Sequence, residues 1–350
     1  MRLTAAVLAL LAAMMMLAPV QAGISPSGRV DATGPSRTPA SLAGWVQQNS
    51  GVNAQLSAIA IHNDTSALVV CAPTGGPSPV VLHTNNSGTN WSRVTNNGTT
   101  MLNTAQMIDA DTWVVAGAAG VFGRTDNWGR TWTWKTVGNP NDFFLDVQFN
   151  DPMNGWIVGV LEGGVGARTP MARTPDGGAT WIKIFPSQTY ALRGIEFLSS
   201  SVAVTAGSNG TAPLVMRSTD GGMTWSVIPF PAQGSPTPLL ALTFPDPAVG
   251  YTASTAGRFW RSDDGGLTWN GSLVDTSGGT GDIGALHFIN VDHGWAATST
   301  GRIYVTRDGG VSWTRQTVPN SPNSFADIRF FNDTIGYAVG INGDIHFTAD

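Results

Sequence analysis

The sequence predicts an all-β chain: a seven-bladed β-propeller of four-stranded antiparallel blades, its last blade closed by an N-terminal strand. Three observations carry this. Trp132, Trp181, Trp225, Trp269 and Trp313 are spaced 49, 44, 44 and 44 residues apart, and a fixed period in the forties marks one supersecondary unit repeated along the chain. Each unit reads as four short β-rich runs separated by Gly, Asn and Asp. The final unit supplies only three such runs, while one stray run stands near the start.

Taken in order, Met1–Ala22 has Arg2, an apolar run from Ala5 to Val20, and Val20-Gln21-Ala22 before Gly23. This is the pattern of an export signal. Residues 1–22 are expected to be a signal peptide cleaved after Ala22, with an uncleaved anchor as the alternative. Residues 23–43, rich in Ser, Pro, Gly and Thr, read as a flexible leader. Residues 44–350 are the propeller.

Ile283–Trp313 shows the strand grammar most clearly. Ala285–Ile289 is an apolar strand, Asn290–Gly294 a turn, Trp295–Thr298 the second strand and Arg302–Thr306 the third. Asp308-Gly309-Gly310 is a tight turn and Trp313–Val318 the fourth strand. The grammar recurs at Leu145–Trp181, Gly194–Trp225, Leu240–Trp269 and Asp327–Asp350, and in two degenerate units before Trp91 and Trp132 that carry Asn86 and Asn127 at the Asp position. The last unit gives Ile328–Phe331, Ile335–Val339 and Ile345–Thr348. Trp45-Val46-Gln47-Gln48, similar to Trp313-Thr314-Arg315-Gln316, is expected to pair beside Ile345–Thr348 and close the ring, leaving no open sheet edge.

Charged residues are 12% of the chain and the formal net charge is −5. A nucleic-acid binder needs a basic face, so that class is excluded. The lone Cys71 cannot form an intramolecular disulfide and reads as a small buried hydrophobe. No metal or cofactor is expected: the five His show no close ligand spacing, and neither a phosphate-binding loop nor a GxSxG phrase is present. Asn-x-Ser/Thr sequons, such as those at Asn63, Asn270 and Asn332, arise readily in so Asn- and Thr-rich a chain.

The phrase closing each unit, Ser/Thr-x-Asp-Gly-Gly-x-Thr/Ser-Trp, has a physical reading. The Asp side chain accepts backbone N–H groups of its own turn, the glycines take positive φ, and the hydroxyls tie the turn to the carboxylate. The Trp anchors the hairpin on the blade. Asp176, Asp220, Asp264 and Asp308, with Trp181, Trp225, Trp269 and Trp313, are therefore expected to be structural. A catalytic group is needed once, a turn staple in every blade, and one carboxylate per turn is too few ligands for calcium.

This phrase resembles the Asp-box, or BNR, repeat. Together with Gly-Trp-Ala-Ala-Thr-Ser-Thr-Gly-Arg-Ile-Tyr-Val-Thr-Arg-Asp-Gly-Gly-Val-Ser-Trp at 294–313, it resembles the photosystem II stability and assembly factor family. That resemblance implies an exported, non-catalytic propeller that holds a membrane-protein subunit during assembly. The family's Arg-rich face would map onto Arg173, Arg217 and Arg261, each eight residues before its Trp, and onto Arg193. Glu162 and Arg168, in the long third-blade connection Leu161–Pro170, are further candidate contacts.

Asp-boxes also occur in sialidases and xyloglucan-cleaving glycosidases, so a glycosidase or carbohydrate-binding propeller is the alternative. Most glycosidases need two positioned carboxylates, and only two Glu, Glu162 and Glu196, are present. Tyr190, Arg193 and Glu196 lie close in sequence but read as blade-edge and strand residues. No catalytic residue is assigned. The expected partner is a protein, with a glycan second. A monomer exported to periplasm, thylakoid lumen or extracellular space is expected.

Overall fold

The computed structural model describes residues 44–71, 80–94, 100–161, 169–184, 186, 189–210, 212–231, 237–275, 279–321 and 324–350. The expected signal peptide and leader, and the candidates Glu162 and Arg168, lie outside them.

Strands are numbered in chain order. Seven four-stranded antiparallel sheets form the blades. Their innermost strands are β2 (Leu56–Ile61), β6 (Leu102–Met107), β10 (Asp142–Phe149), β14 (Ala191–Phe197), β18 (Leu239–Thr243), β22 (Ile283–Phe288) and β26 (Phe325–Phe330). Each touches the next, and β26 touches β2, so the ring is closed around an axis. The blades are numbered one to seven from β2. In blade six, β23 (Gly294–Thr298), β24 (Ile303–Thr306) and β25 (Thr314–Gln316) follow β22 outward. The expected elements are present there, with the fourth strand shorter than the sequence suggests.

Blade seven is assembled from both parts of the chain that the sequence singled out. β26, β27 (Ile335–Gly340) and β28 (Asp344–Ala349) are joined on the outside by β1 (Val46–Asn49). The register pairs Val46 with Phe347 and Asn49 with Asp344, in step with the expected pairing of Trp45–Gln48 and Ile345–Thr348, the strand itself running one residue further, from Val46 to Asn49. Trp45, 3% exposed, stands where every other blade has its box tryptophan. It packs edge-on to Phe330 at 5.7 Å, and its Nε1 donates to Gln316 of blade six at 2.9 Å. The Gly44 N–H donates to Asp350 Oδ2 at 3.2 Å, so the seventh Asp-box turn is completed across the seam.

The core lies between blades. Apolar side chains facing each sheet interdigitate with those of the next in six clusters around the ring. Cys71 is buried in one of them, between blades one and seven. Aromatic stacking is dense where second strands meet innermost strands: Trp295 lies on Phe330 at 3.5 Å and Tyr251 on Phe288 at 3.7 Å, adding to the area they bury.

Candidate functional site

Strand alternation fixes the two ends of the ring. First and third strands of a blade run the same way, so the turn after the first shares an end with the Asp-box turn after the third. Hydrogen bonds join them in every complete blade. The N–H of Ser87, Trp128, Gly177, Gly221, Gly265 and Gly309 donates to a carbonyl of its own blade's first turn. The opposite end carries the connections between second and third strands and those between blades.

In each intact Asp-box the aspartate accepts hydrogen bonds from its own turn. In blade four, Asp220 Oδ1 accepts Ser218 Oγ at 2.8 Å, Met223 N at 3.0 Å and Thr224 N at 2.9 Å, while Oδ2 accepts Thr224 Oγ1 at 2.6 Å. Asp176, Asp264 and Asp308 repeat the pattern. These bonds favour the ionised form and hold Asp176 and Asp220 down at about 2. In the degenerate blades, Asn86 and Asn127 accept the same Thr hydroxyl and the same backbone N–H. In blades three, four and six the second box glycine sits against an aromatic ring of the preceding blade. A Cβ on Gly178 would lie 2.5 Å from Phe122, and one on Gly310 would lie 2.4 Å from Phe259. Trp225 and Trp269 donate Nε1 to the carbonyls of Gly222 and Gly266, both at 3.1 Å. The indole N–H groups of Trp181 and Trp313 are buried without a partner.

The arginines before the boxes face the next blade. Arg217 Nε donates to Gly265 O at 3.0 Å. Arg261 Nη1 donates to Gly309 O at 3.2 Å and to the Tyr251 hydroxyl at 3.2 Å, while its Nε donates to Asp263 at 2.8 Å. Arg124, absent from the sequence-level candidates, does the same in blade two, donating to Pro152 O at 2.8 Å and Gly177 O at 3.1 Å. Each clasps the box turn of the following blade through backbone carbonyls, a use suited to a planar, multi-donor fork. Arg173 holds the equivalent place in blade three, with its Nε buried and unpartnered.

Arg193 is elsewhere. Every innermost strand carries a β-bulge near its start, and Arg193 is the bulged residue of blade four. It lies toward the end opposite the boxes, 5% exposed, and burial lowers its pKa to about 10. The structure therefore does not join Arg193 to Arg173, Arg217 and Arg261 in one exposed arc.

Glu196, three residues on, belongs to a network that the sequence did not reveal. The third residue after each bulge is Ala60, Gln106, Gln148, Glu196, Thr243, His287 and Arg329 from blade one to blade seven. Four of them reach the backbone of the next innermost strand. Gln106 takes both the N–H and the carbonyl of Phe149, Gln148 accepts Phe197 N–H, Glu196 accepts Phe244 N–H, and His287 Nε2 meets Phe330 O. The residue just after the bulge does likewise in two blades. Asp146 Oδ2 accepts Ile195 N–H at 2.9 Å and Asp327 Oδ2 accepts Ile59 N–H at 3.0 Å.

Arg329 projects among these groups. It is 6% exposed, and its guanidinium lies 3.6 Å from Asp327. Its charge acts on Asp146, Glu196, Asp327 and His287, which come from four different blades. Burial raises Asp146 and Glu196 well above the usual carboxylate range, and raises Asp327 to about 6, against the pull of Arg329 and of backbone N–H groups. Burial and the Arg329 charge lower His287 to about 3. Glu196 is 2% exposed and shares Gln148 Nε2 at 3.1 Å. It is held in an inter-blade seam rather than presented to a cleft. Tyr190 is also buried, in the core between blades three and four. Among the described residues no cluster of three or more His, Cys, Asp or Glu is arranged to hold a metal ion, and no helix is long and apolar enough to cross a membrane.

Residues 130–286 match the family model described as photosynthesis system II assembly factor YCF48. No curated protein sequence matches the chain. Among solved structures, "YCF48 bound to D1 peptide" superposes with a TM-score of 0.69 at 16% identity, covering 91% of this chain and 99% of that one. YCF48 from Cyanidioschyzon merolae gives 0.67 at 19% identity, covering 87% and 98%. The GH74 xyloglucanase from Xanthomonas campestris gives 0.62 at 15% identity, covering 81% of this chain but 51% of the enzyme. The family match thus lies over the central blades, and the closed propeller fold is what this chain shares with the two YCF48 structures over most of its length.

Proposed function

We propose that this chain is an exported, non-catalytic propeller that binds a protein partner, in the manner of a photosystem II assembly factor. The observation carrying this reading is the superposition over nearly the whole length of a relative solved with a D1 peptide, joined to the family match at residues 130–286. A rigid ring bearing connections of varied length suits recognition, since loops on a fixed scaffold are where binding resides. A membrane-protein subunit is the proposed partner, and the export pattern at residues 1–22 would place the protein where lumenal or periplasmic segments are reached. The proposed contacts remain Glu162, Arg168, Arg173, Arg193, Arg217 and Arg261. Arg217 and Arg261 also hold blades together, so Arg168→Glu is the cleaner charge reversal.

The test is titration of a labelled synthetic D1 peptide into the purified chain, followed by fluorescence anisotropy. Saturable binding, competed by unlabelled peptide and weakened by Arg168→Glu, is expected. Absence of saturable binding would refute the assembly-factor reading. The xyloglucanase likeness favours a second reading, a carbohydrate-binding or glycosidase-derived propeller. Since Glu196 is buried in an inter-blade seam, no hydrolysis of sialosides or β-glucans is expected. Turnover abolished by Glu162→Gln or Glu196→Gln would overturn the non-catalytic assignment.

A further inference from the structure

We infer a second docking surface, on the Asp-box end of the ring, that takes a basic amphipathic segment of a protein partner. It stands on its own residues and goes beyond the peptide-binding reading above. Large apolar side chains left exposed among the described residues are concentrated there. Trp128 (39% exposed), Met153 (51%), Met223 (46%), Leu267 (47%), Val311 (86%) and Phe331 (46%) all sit in turns at this end, one from each blade from two to seven. The remaining ones, Ile182, Val227 and Leu273, are on outermost strands. Single exposed apolar residues are ordinary, but their collection on one face is a mark of an interaction surface.

Trp128 is the pronounced case. It occupies the box position where the four intact repeats have a positive-φ glycine, and adopts φ 64° itself, a conformation that costs a bulky residue energy. Trp113 and His83 hold its ring edge-on at 6.2 and 5.9 Å, so the indole is fixed while part of it faces solvent.

Charge selects the occupant. The turn between first and second strands carries an exposed or half-exposed carboxylate in every blade but the fourth: Asp64, Asp111, Asp151, Asp246, Asp292 and Asp333. The box carboxylates add to this, kept ionised by their own turns. Against them, the described turn residues at this end offer Arg130 and Arg307, and Arg124, Arg217 and Arg261 reach the same turns from their strands, so carboxylates remain in excess, while the described connections at the opposite end carry just Asp275, Asp282 and Arg302. The ring is thus electrically lopsided. An anionic bilayer would be repelled from the box end, and a cationic partner steered toward it. Apolar tips set among carboxylates match a segment that alternates basic and apolar side chains.

The probe is a helical lysine–leucine peptide titrated into the full chain, with a glutamate–leucine peptide and anionic and zwitterionic vesicles as controls. The wild-type chain is expected to bind the lysine–leucine peptide in a salt-sensitive manner. Two variants leave the charge untouched: Met223→Ser/Leu267→Ser/Val311→Ser, and Trp128→Gly, which restores the repeat's own residue. Each is expected to weaken binding by about tenfold with melting retained. Undiminished binding in both would reduce the effect to bulk electrostatics and overturn the proposal. Equal binding of the glutamate–leucine peptide, or binding to vesicles instead, would also overturn it. The D1 peptide, measured on the same proteins, separates the two surfaces: its failure with wild-type protein leaves this inference standing.

Discussion

Replacing Trp45 by alanine tests whether the seam of the ring is a true blade. Trp45 is 3% exposed, packs edge-on to Phe330 and donates its indole N–H to Gln316. Removing a buried tryptophan costs about 4 kcal/mol, in transfer energy and cavity together. Gln316 is half buried and would turn to water, adding little. For a domain of this size the loss corresponds to a fall in melting temperature of roughly 6 °C. Trp269→Ala is the internal standard, because Trp269 fills the same place in blade five, is 4% exposed and lies far from the seam. Calorimetry of both variants should give losses of comparable size. A Trp45→Ala protein melting with its parent, while Trp269→Ala falls as expected, would show that β1 frays from β28 and contributes nothing to closure.

Three further outcomes follow from the same reasoning. His287→Gln should keep the inter-blade bond, since Gln106 makes that bond in blade two, while changing the acid response. His287 is held neutral with its pKa lowered to about 3, so its contribution is present above about 6.5 and is lost as pH falls from there toward 3; urea melts across that window should be flatter in the variant. Asp220→Ala should cost about 1–2 kcal/mol at neutral pH, like loss of a capping side chain. Because the Asp220 pKa is lowered to about 2, wild-type stability from this group should fade as pH drops from about 4 toward 2 and the variant should not show that component. Arg261→Lys should destabilise nearly as much as Arg261→Ala in thermal melts, since one ammonium cannot meet Gly309 O, the Tyr251 hydroxyl and Asp263 together. Asp263→Ala, removing an exposed partner, should change stability by under about 0.5 kcal/mol.

The blades and their number were legible because the same demand recurs seven times. A tight turn needs a short acceptor, positive-φ residues and an anchor, and so leaves the same letters at Asp176, Asp220, Asp264 and Asp308. Closure was legible from what the last unit lacked. The axis was not. Gln106, Gln148, Glu196, His287 and Arg329 occupy one structural position yet no one letter runs through the set, because a glutamine, a carboxylate and an imidazole can all reach the same backbone groups of the neighbouring strand. The available signal was positional: aligning innermost strands on their bulges places polar residues in one column of otherwise apolar strands. Arg173, Arg217 and Arg261 were found as a periodic set, but their spacing is equally that of an inter-blade clasp, and only the bonds of Arg217 and Arg261 to the next blade's glycines show that role. Arg193 was grouped with them by charge alone, and its bulge places it toward the other end.

The seam also sets a timetable. β1 meets β28 across some three hundred residues, so among the strand pairs this one has far the longest loop to close, whereas every other strand pairs with a neighbour in sequence. Contacts so remote in the chain form late. The blades can therefore assemble one after another from either side, leaving β1 and β28 as two unpaired strand edges until the ring shuts. During that interval two copies could exchange first strands. Moving the seam, by joining residue 350 to residue 44 through a short linker and opening the chain between two other blades, should leave the finished ring unchanged while shifting the vulnerable edge to the new junction.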